Sequence, residues 1–363
     1  MTPAVRQEDP RGTGRTEPSI LVDVCHPAHA HFFRHPISLW REAGRTVHIA
    51  AREKDVALPL LREFGLECTP LGRAGKGALS LLRELATRDV ALLRLANRVN
   101  AGVITGIGGI FAAHAAWAKR IPSVVFYDTE IATLQNALTY PLATRVVVPR
   151  CYSGTTPRHR TLRYDGYHEL SYLHPNRFQP DRARALAAGL DPSRPTYLVR
   201  LVAWTANHDF GDSGLPPTAV RELVSRLQAV GRVIISSEAG LPPDLDELRF
   251  RGNVNDMHHL MAFCAGFYGE SATMASECAV LGVPAVYAAN SQRGYTDEQE
   301  ARYGLVRNVK SLTSQALLDG VNWLIEQPSA PIAGRREKLL AETIDVAAFV
   351  ADTVVSVARQ GRR

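Results

Sequence analysis

The 363-residue sequence has few cysteines and no long apolar run. The cysteines are odd in number and widely spaced, at Cys25, Cys68, Cys151, Cys264 and Cys278. This usage argues against a disulfide framework or a zinc site. No apolar stretch approaches the roughly 18 to 20 residues that a membrane-spanning helix needs. Residues 1–18 lack the apolar core of a signal peptide and are predicted to be a disordered tail, so we expect a cytoplasmic protein.

The basic excess is modest, with a net charge of +6. Such a charge suits an anionic ligand or a membrane surface, and no nucleic-acid motif accompanies it, so nucleic acid is not an expected partner. A hydrophobic content of 45% with 21% charged residues is typical of a globular protein. The length is sufficient for two domains with full cores.

Strand-like and helix-like segments alternate from Ser19 onward, which predicts parallel sheets covered by helices on both faces. Strands are predicted near 20–25, 46–50, 67–71, 101–105, 122–127, 145–148, 196–202, 233–236 and 283–288. Helices are predicted to begin after the first strand and near 55–64, 77–98, 110–119, 220–230, 258–264, 274–281 and 335–359.

A proline-containing polar stretch at 174–180 reads as an inter-domain linker. We therefore predict an α/β protein with two Rossmann-like parallel-sheet domains, at 19–174 and 181–330, that face a central cleft. A helix within 331–363 is expected to pack back toward the first domain. Ligands of such folds bind at the carboxyl ends of the strands.

The turn at 269–273 is the strongest binding signal, because small and hydroxylated residues lie between a strand and the start of a helix. Free N–H groups and the positive end of the helix dipole favour a phosphate there. The residues expected to contact that phosphate are Ser271, Ala272, Thr273 and Met274. Glu277, one turn later, is a candidate for ribose hydroxyls, or else a solvated helix carboxylate.

Three histidines follow the first strand, where an open α/β sheet presents functional groups. His29 or His31 could act as a general base near neutral pH. Metal ligation by His26, His29 and His31, or simple capping of the next helix, are the alternatives.

Two further strand ends carry candidate residues. Gly106, Gly108 and Gly109 form a turn that could bind an acceptor through its backbone, or could serve only helix packing. Asp128 and Glu130 could bind sugar hydroxyls or act as acid and base, or could be caps.

Arg200 and His208 follow the first strand of the second domain. Arg200 could pair with phosphate, and His208 could contribute a proton or a ligand contact. Both could equally be structural polar residues.

Two stretches resemble known GT-B proteins. The stretch 102–148, with Gly106-Ile-Gly-Gly109 and Asp128-Thr-Glu130, resembles the acceptor-domain core of the lipid-linked muropeptide N-acetylglucosaminyltransferase. The stretch 253–288 resembles the nucleotide-binding core of that enzyme and of UDP-N-acetylglucosamine 2-epimerases.

Over nearly the whole chain after the tail, the sequence resembles an uncharacterised family of GT-B-like proteins with a domain of unknown function. The motifs that carry this resemblance are His26-Pro-Ala-His-Ala-His-Phe-Phe, Tyr164-Asp-Gly-Tyr-His-Glu-Leu-Ser-Tyr-Leu, Val202-Ala-Trp-Thr-Ala-Asn-His-Asp and Gly269-Glu-Ser-Ala-Thr-Met-Ala-Ser-Glu.

The resemblance implies a GT-B fold, with His29 at the first-loop histidine, Glu277 at the ribose-binding glutamate and 271–273 at the pyrophosphate turn. The chain departs from the transferase at Pro27-Ala28, which replaces a glycine-rich loop. It departs again at Val202-Ala-Trp204, which replaces a Gly-Gly-Ser turn.

The leading hypothesis is a metal-independent glycosyltransferase that needs no cofactor and uses a nucleotide-diphosphate sugar, UDP-linked, as its donor. Its hydroxyl acceptor is unknown, with cell-surface polysaccharide, glycolipid and secondary-metabolite synthesis as candidate contexts. The alternative is a UDP-N-acetylhexosamine 2-epimerase in which Asp128, Glu130 and His208 move protons. A third reading is a non-catalytic nucleotide-sugar-binding protein.

A further hypothesis concerns the leucine- and arginine-rich helix at 77–98. It could rest on an anionic membrane and deliver a lipid-linked acceptor, or could simply face the core with solvated arginines.

Overall fold

The computed structural model describes residues 18–53, 57–73, 78–202, 214–238, 240–327 and 329–361. Within them lie two α/β domains with parallel sheets of seven and five strands. The predicted fold class is therefore confirmed.

The first sheet has the strand order β3-β2-β1-β4-β5-β6-β7. Its strands are β1 (Ser19–Val24), β2 (Val47–Glu53), β3 (Thr69–Arg73), β4 (Ala101–Ile107), β5 (Ser123–Phe126), β6 (Arg145–Pro149) and β7 (Thr161–Tyr164). The second sheet has the order β12-β11-β10-β8-β9. Its strands are β8 (Thr196–Leu201), β9 (Arg232–Ser237), β10 (Gly266–Gly269), β11 (Ala285–Ala288) and β12 (Val306–Val309).

The first domain and the crossing to the second contain α1 (Pro27–Glu42), α2 (Ala57–Glu63), α3 (Ala78–Arg98), α4 (Ile110–Lys119), α5 (Thr133–Thr139), α6 (Leu170–Leu173) and α7 (Arg182–Ala187). The later helices are α8 (Pro217–Val230), α9 (Pro243–Asp246), α10 (Met257–Met261), α11 (Ala272–Leu281), α12 (Gly294–Glu298), α13 (Ser314–Ile325), α14 (Ser329–Ala341) and α15 (Val346–Gln360). A 3-10 turn (Val254–Asp256) precedes α10, and a π-helix (Gln299–Tyr303) follows α12.

The core strands are nearly continuous apolar runs because helices cover both faces of each sheet. All six residues of β1 are buried between β2 and β4. Parallel pairing brings the carboxyl ends of these strands to one edge of each sheet. The loops after β1, β4, β5, β10 and β11 therefore approach the same cleft.

Most predicted elements are confirmed to within a few residues, and α4 has the predicted bounds of 110–119. The short edge strands β7 and β12 were not predicted. The single helix expected at 335–359 was wrong, because the chain turns after α14 and begins a new helix. Asp345 caps α15 by accepting a hydrogen bond from the Ala348 amide, and it also pairs with Arg177.

The last helix, α15, packs on α1 and α6. The indole N–H of Trp40 donates to the Ala351 carbonyl over 3.0 Å, which fixes the position of α15 on α1. The domain boundaries proposed from the sequence stay predictions.

One side of the second half of α3 packs against the core. Leu92 and Leu95 are buried, and so is Arg88, whose guanidinium pairs with Asp23 on β1 and donates to the Leu71 carbonyl. Arg88 is thus not available to a membrane surface, which corrects that part of the predicted basic face. Within the described ranges, the chain forms no helix long and apolar enough to span a bilayer.

Candidate functional site

A cavity of about 1210 Å³ lies between the carboxyl ends of the two sheets. Its first-domain wall includes Asp23, His29, Gly108, Asp128 and His168, and its second-domain wall includes Glu270, Ala272, Thr273, Ala288 and Arg293. This volume exceeds the roughly 300 to 1000 Å³ of an ordinary small-molecule site. The cleft can therefore hold two small molecules side by side.

The amino end of α11 opens onto this cavity. The Ser271 hydroxyl accepts a hydrogen bond from the Met274 amide over 3.3 Å and so caps the helix. The two amides before it belong to Ala272 and Thr273, which line the cavity. Of the residues 271–274, Ser271 and Met274 thus form the cap, whereas Ala272 and Thr273 line the cavity. Phosphate binding at this helix start stays a prediction.

The turn before α11 depends on glycine. A Cβ atom at Gly269 would lie 2.4 Å from the Arg200 carbonyl oxygen, a distance that no side chain tolerates. The Glu270 amide donates to the same carbonyl over 3.1 Å. Close approach of β8 and β10 therefore positions the amino end of α11.

The arginine of the second-domain wall is not the predicted one. Arg200 lies outside the cavity lining, and its guanidinium donates to the Ser236 hydroxyl over 2.7 Å and to the Glu238 carboxylate. Arg293, in the loop between β11 and α12, lines the cavity instead. The phosphate role assigned to Arg200 is corrected on this ground, because its donors are directed to β9.

Glu277 lies in the domain interface. Its carboxylate accepts from the Tyr172 hydroxyl over 2.8 Å and contacts His258 Nε2 at 2.9 Å. The residue is buried and lies outside the cavity lining. In this arrangement Glu277 connects α6 and α11, so its predicted contact with ribose would need these bonds to open.

His31 belongs to the same interface. Its ring contacts the rings of Phe64, Tyr172 and His258, with centroids 5.0 to 5.3 Å away. Burial, and then the charges of His258 and Arg34, hold the pKa of His31 well below its usual value. His31 also lies outside the cavity lining, so its predicted role as a base is corrected to a packing role.

His29 does line the cavity, but its ring is oriented as a donor. The Cys25 amide donates to His29 Nδ1 over 3.2 Å. Because Nδ1 is then unprotonated, the neutral ring carries its proton on Nε2. This arrangement suits a hydrogen-bond donor, and not the general base predicted from the sequence.

His168 and Asp128 form a pair on the first-domain wall. His168 Nδ1 lies 3.1 Å from an Asp128 oxygen, and the Thr129 hydroxyl donates to the other oxygen over 3.0 Å. Burial alone would raise the pKa of Asp128. The charge and hydrogen bond of His168, the Thr129 hydroxyl and the nearby His29 instead lower it to about 2. Asp128 is therefore an anion that orients the imidazole.

The second ring nitrogen of His168, Nε2, has no hydrogen-bond partner on the part of this wall that the structure describes. His168 lines the cavity, and its Nε2 is buried without a hydrogen-bond partner among the described residues. A buried polar atom of this kind carries a free-energy cost unless a ligand or a water molecule forms a hydrogen bond with it. In the neutral ring, Nδ1 donates to Asp128 and Nε2 is then an acceptor, on a residue that lines the cleft.

Glu169 adds a protonated carboxyl next to this pair. Burial and then the charges of Asp128 and Glu277 raise the pKa of Glu169 to about 8, despite opposing hydrogen bonds that include one from Ser276. Glu169 lines the cavity. His168 and Glu169 were not predicted, although both lie inside the motif Tyr164–Leu173 that supports the family resemblance.

Glu130 bridges the domains rather than facing the cavity. One of its oxygens accepts from the amides of Gly294 over 3.1 Å and Ser153 over 3.4 Å. A Cβ atom at Gly294 would lie 2.6 Å from that oxygen, so glycine permits the contact. The predicted acid or base role of Glu130 is corrected to an inter-domain contact.

The glycine turn after β4 serves packing and cavity shape together. Gly108 and Gly109 have positive φ values of 64° and 24°, and both line the cavity. The Gly108 carbonyl accepts from the Tyr127 hydroxyl and the Gln135 amide over 2.8 and 2.7 Å. Gly106 lies on β4 beside Asp23, outside the lining. Acceptor binding at Gly108 and Gly109 stays a prediction.

Two remaining expectations concern His208 and metals. His208 lies outside the described residues. In the portion of the chain that the structure describes, no group of three His, Cys, Asp or Glu side chains is arranged to hold a metal ion.

Comparisons with known proteins agree with this architecture. Residues 19–176 match the family described as protein of unknown function (DUF354). An uncharacterised protein of Methanocaldococcus jannaschii is 20% identical over 282 residues, which cover 74% of this chain and 80% of that protein.

Among solved structures, a UDP-GlcNAc 2-epimerase from Neisseria meningitidis bound to UDP-GlcNAc superposes with a TM-score of 0.66. It is 14% identical, with 94% of this chain and 100% of that chain covered. The glycosyltransferase VinC in complex with DTDP superposes with a TM-score of 0.60 at 18% identity, again over 94% and 100% of the two chains.

These identities are low, so the solved structures establish the fold alone. The resemblance expected from the sequence motifs is confirmed: this chain is similar to GT-B glycosyltransferases and UDP-GlcNAc 2-epimerases in structure, and residues 19–176 match a family of unknown function.

Proposed function

We propose that the protein transfers a sugar from a UDP-linked donor to a hydroxyl of a second substrate. The observation that carries this proposal is the division of one cavity between an anion-binding wall, formed by the amino end of α11 and Arg293, and a proton-accepting wall, formed by His168 and Asp128. A direct in-line transfer uses a base and an anion-stabilising site on opposite sides of the sugar.

In the proposed reaction, the acceptor hydroxyl gives its proton to His168 Nε2 while its oxygen bonds to the anomeric carbon. The bond from that carbon to the diphosphate breaks, and the electron pair leaves with the nucleotide diphosphate. Asp128 stabilises the imidazolium that forms. The amides of Ala272 and Thr273 and the Arg293 guanidinium stabilise the departing diphosphate, so the proposed step needs neither a metal nor a further cofactor.

The test is a transfer assay with a panel of UDP-sugars and hydroxyl acceptors, in which UDP release is measured with and without a chelator. Release that depends on an acceptor and is unaffected by the chelator supports the proposal. Tight UDP binding without turnover across the panel would favour the third hypothesis, a non-catalytic binding protein.

One observation favours a second candidate, the 2-epimerase. Glu169, whose pKa is raised to about 8, lies close to the ionised Asp128, and such a pair of unlike carboxyls can exchange protons with a sugar carbon. Incubation with UDP-N-acetylglucosamine in heavy water separates the candidates. Solvent deuterium at C2 without an acceptor supports epimerisation, and its absence counts against it.

A further inference from the structure

Large apolar side chains are exposed at the first-domain mouth of the cavity. Leu134 and Leu138 of α5 are 74% and 38% exposed, and Ile131, just before the helix, is 61% exposed. All three line the cavity. The spacing of four residues places Leu134 and Leu138 on one face of α5, and Ile131 lies in the turn that precedes the helix.

The amphipathic pattern of α5 is reversed. Asn136 and Thr139 are buried, and they donate to the Tyr152 hydroxyl over 3.4 Å and to the Gln135 carbonyl over 2.8 Å. A surface helix normally buries its apolar face and exposes its polar one. The packing of α5 in this fold therefore gives no reason for leucines on its outer face.

The reversed helix is also held firmly. The Gln135 side-chain amide donates to the Gly108 carbonyl over 2.7 Å. His114 lies between the Asp89 carboxylate, at 2.8 Å, and the Leu138 carbonyl, at 3.1 Å. The apolar face is thus fixed in its orientation before any ligand arrives, which lowers the entropy cost of binding.

The exposed apolar groups and the anion-binding groups of the cavity belong to different domains. Ile110 and Phe111, at the start of α4, also line the cavity with apolar side chains, whereas the anion-binding groups belong to the second domain. A concave wall opposed by another domain suits a small molecule better than a flat bilayer.

We infer that the second substrate is amphipathic: a hydroxyl-bearing molecule with an alkyl or aromatic body that covers Ile131, Leu134 and Leu138. This inference rests on the proposed function, which supplies the hydroxyl at His168. It adds the class of acceptor and the surface that selects it.

The test measures binding of methyl, hexyl and octyl β-glucoside, below their micellar concentrations, to UDP-saturated protein by calorimetry. We expect affinity to rise by up to about fourfold per added methylene, the value for full burial of one CH₂. The Leu134→Ser/Leu138→Ser variant should bind octyl glucoside at least about tenfold more weakly and lose the chain-length dependence.

The matched control is Leu162→Ser/Leu186→Ser, which removes two leucines of 39% and 41% exposure outside the cavity lining. It should bind like the wild type. Equal affinity of the three glucosides, or equal loss in both double variants, would overturn the inference. So would binding to phosphatidylglycerol vesicles that depends on Leu134 and Leu138 while octyl glucoside does not bind.

The UDP titration performed in the same experiment reports on the proposed function separately. If UDP binds every variant and octyl glucoside binds none, the amphipathic acceptor is wrong and the donor site stands. If UDP fails to bind the wild type, the proposed function fails, whatever the glucosides do.

Discussion

The two walls of the cleft differ in the kind of group they present. The first-domain wall offers groups that can gain or lose protons, namely Asp128, His168 and Glu169. The second-domain wall offers fixed positive charge from the amino end of α11 and from Arg293, while its Glu270 carboxylate accepts hydrogen bonds from the Val202 and Leu215 amides. Fixed dipoles stabilise an anion without reorganising, whereas titratable groups serve chemistry at a bond that changes.

From this difference we expect proton transfer at the first wall and anion binding at the second. Both walls are built at the carboxyl ends of parallel strands, so the fold alone does not distinguish them. The distinction comes in part from the short segment 165–173, which precedes the predicted linker and places His168 and Glu169 in the cleft.

The largest difference between the two walls is expected for the substitution His168→Ala. Loss of a positioned base should reduce the rate of transfer by about 100- to 10,000-fold, while UDP affinity stays near the wild-type value because the second wall is intact. Steady-state kinetics and UDP calorimetry measure the two quantities. Asp128→Asn should follow in the same direction and change the pH profile, since the imidazole loses its anionic partner.

The second wall is tested by Arg293→Ala, with Arg200→Ala as its matched control. Removing one preorganised donor to the leaving group should slow turnover by about 100-fold, whereas Arg200→Ala should have a much smaller effect because that guanidinium is directed to Ser236 and Glu238. The reverse order of effects would restore the phosphate role that the sequence suggested for Arg200.

The last prediction concerns stability. The folded pKa of Glu169, about 8, is above its unfolded value of 4.5, so the folded state holds an extra proton between these pH values. This group therefore makes the protein less stable as pH rises through that interval, by about 1.4 kcal/mol per pH unit. Glu169→Gln should remove that slope and gain stability, relative to the wild type, toward pH 8.

Denaturant unfolding of the wild type and Glu169→Gln between pH 5 and 8 measures this difference. Because both proteins share all other titratable groups, the difference reports on Glu169 and on its coupling to Asp128 and Glu277. Parallel pH profiles would show that the carboxyl is ionised in the folded state.

The sequence was sufficient for the fold and for the helix start at 271–274. Alternating strand and helix patterns depend on local periodicity, and a helix start such as 271–274 is visible in neighbouring residues. Edge strands β7 and β12 are too short for such patterns, and Asp345, the cap of α15, pairs with Arg177 from a distant part of the chain.

The residues proposed to accept protons were harder to predict from the sequence. His29, His31 and His168 are all histidines close to the cleft, and nothing local distinguishes them. The amide of Cys25 decides the tautomer of His29, the ring of His258 helps to bury His31, and Asp128 orients His168. Each of these partners is set by tertiary packing, which no local pattern records.

Comparative titration of UDP and uridine into the wild-type protein is the most direct test of the account. If α11 and Arg293 receive a diphosphate, UDP should bind at least about tenfold more tightly than uridine, because the helix dipole and charge-assisted hydrogen bonds act only on the phosphates. Equal affinities, or no binding of UDP, would contradict the assignment of the second-domain wall as a nucleotide-diphosphate site.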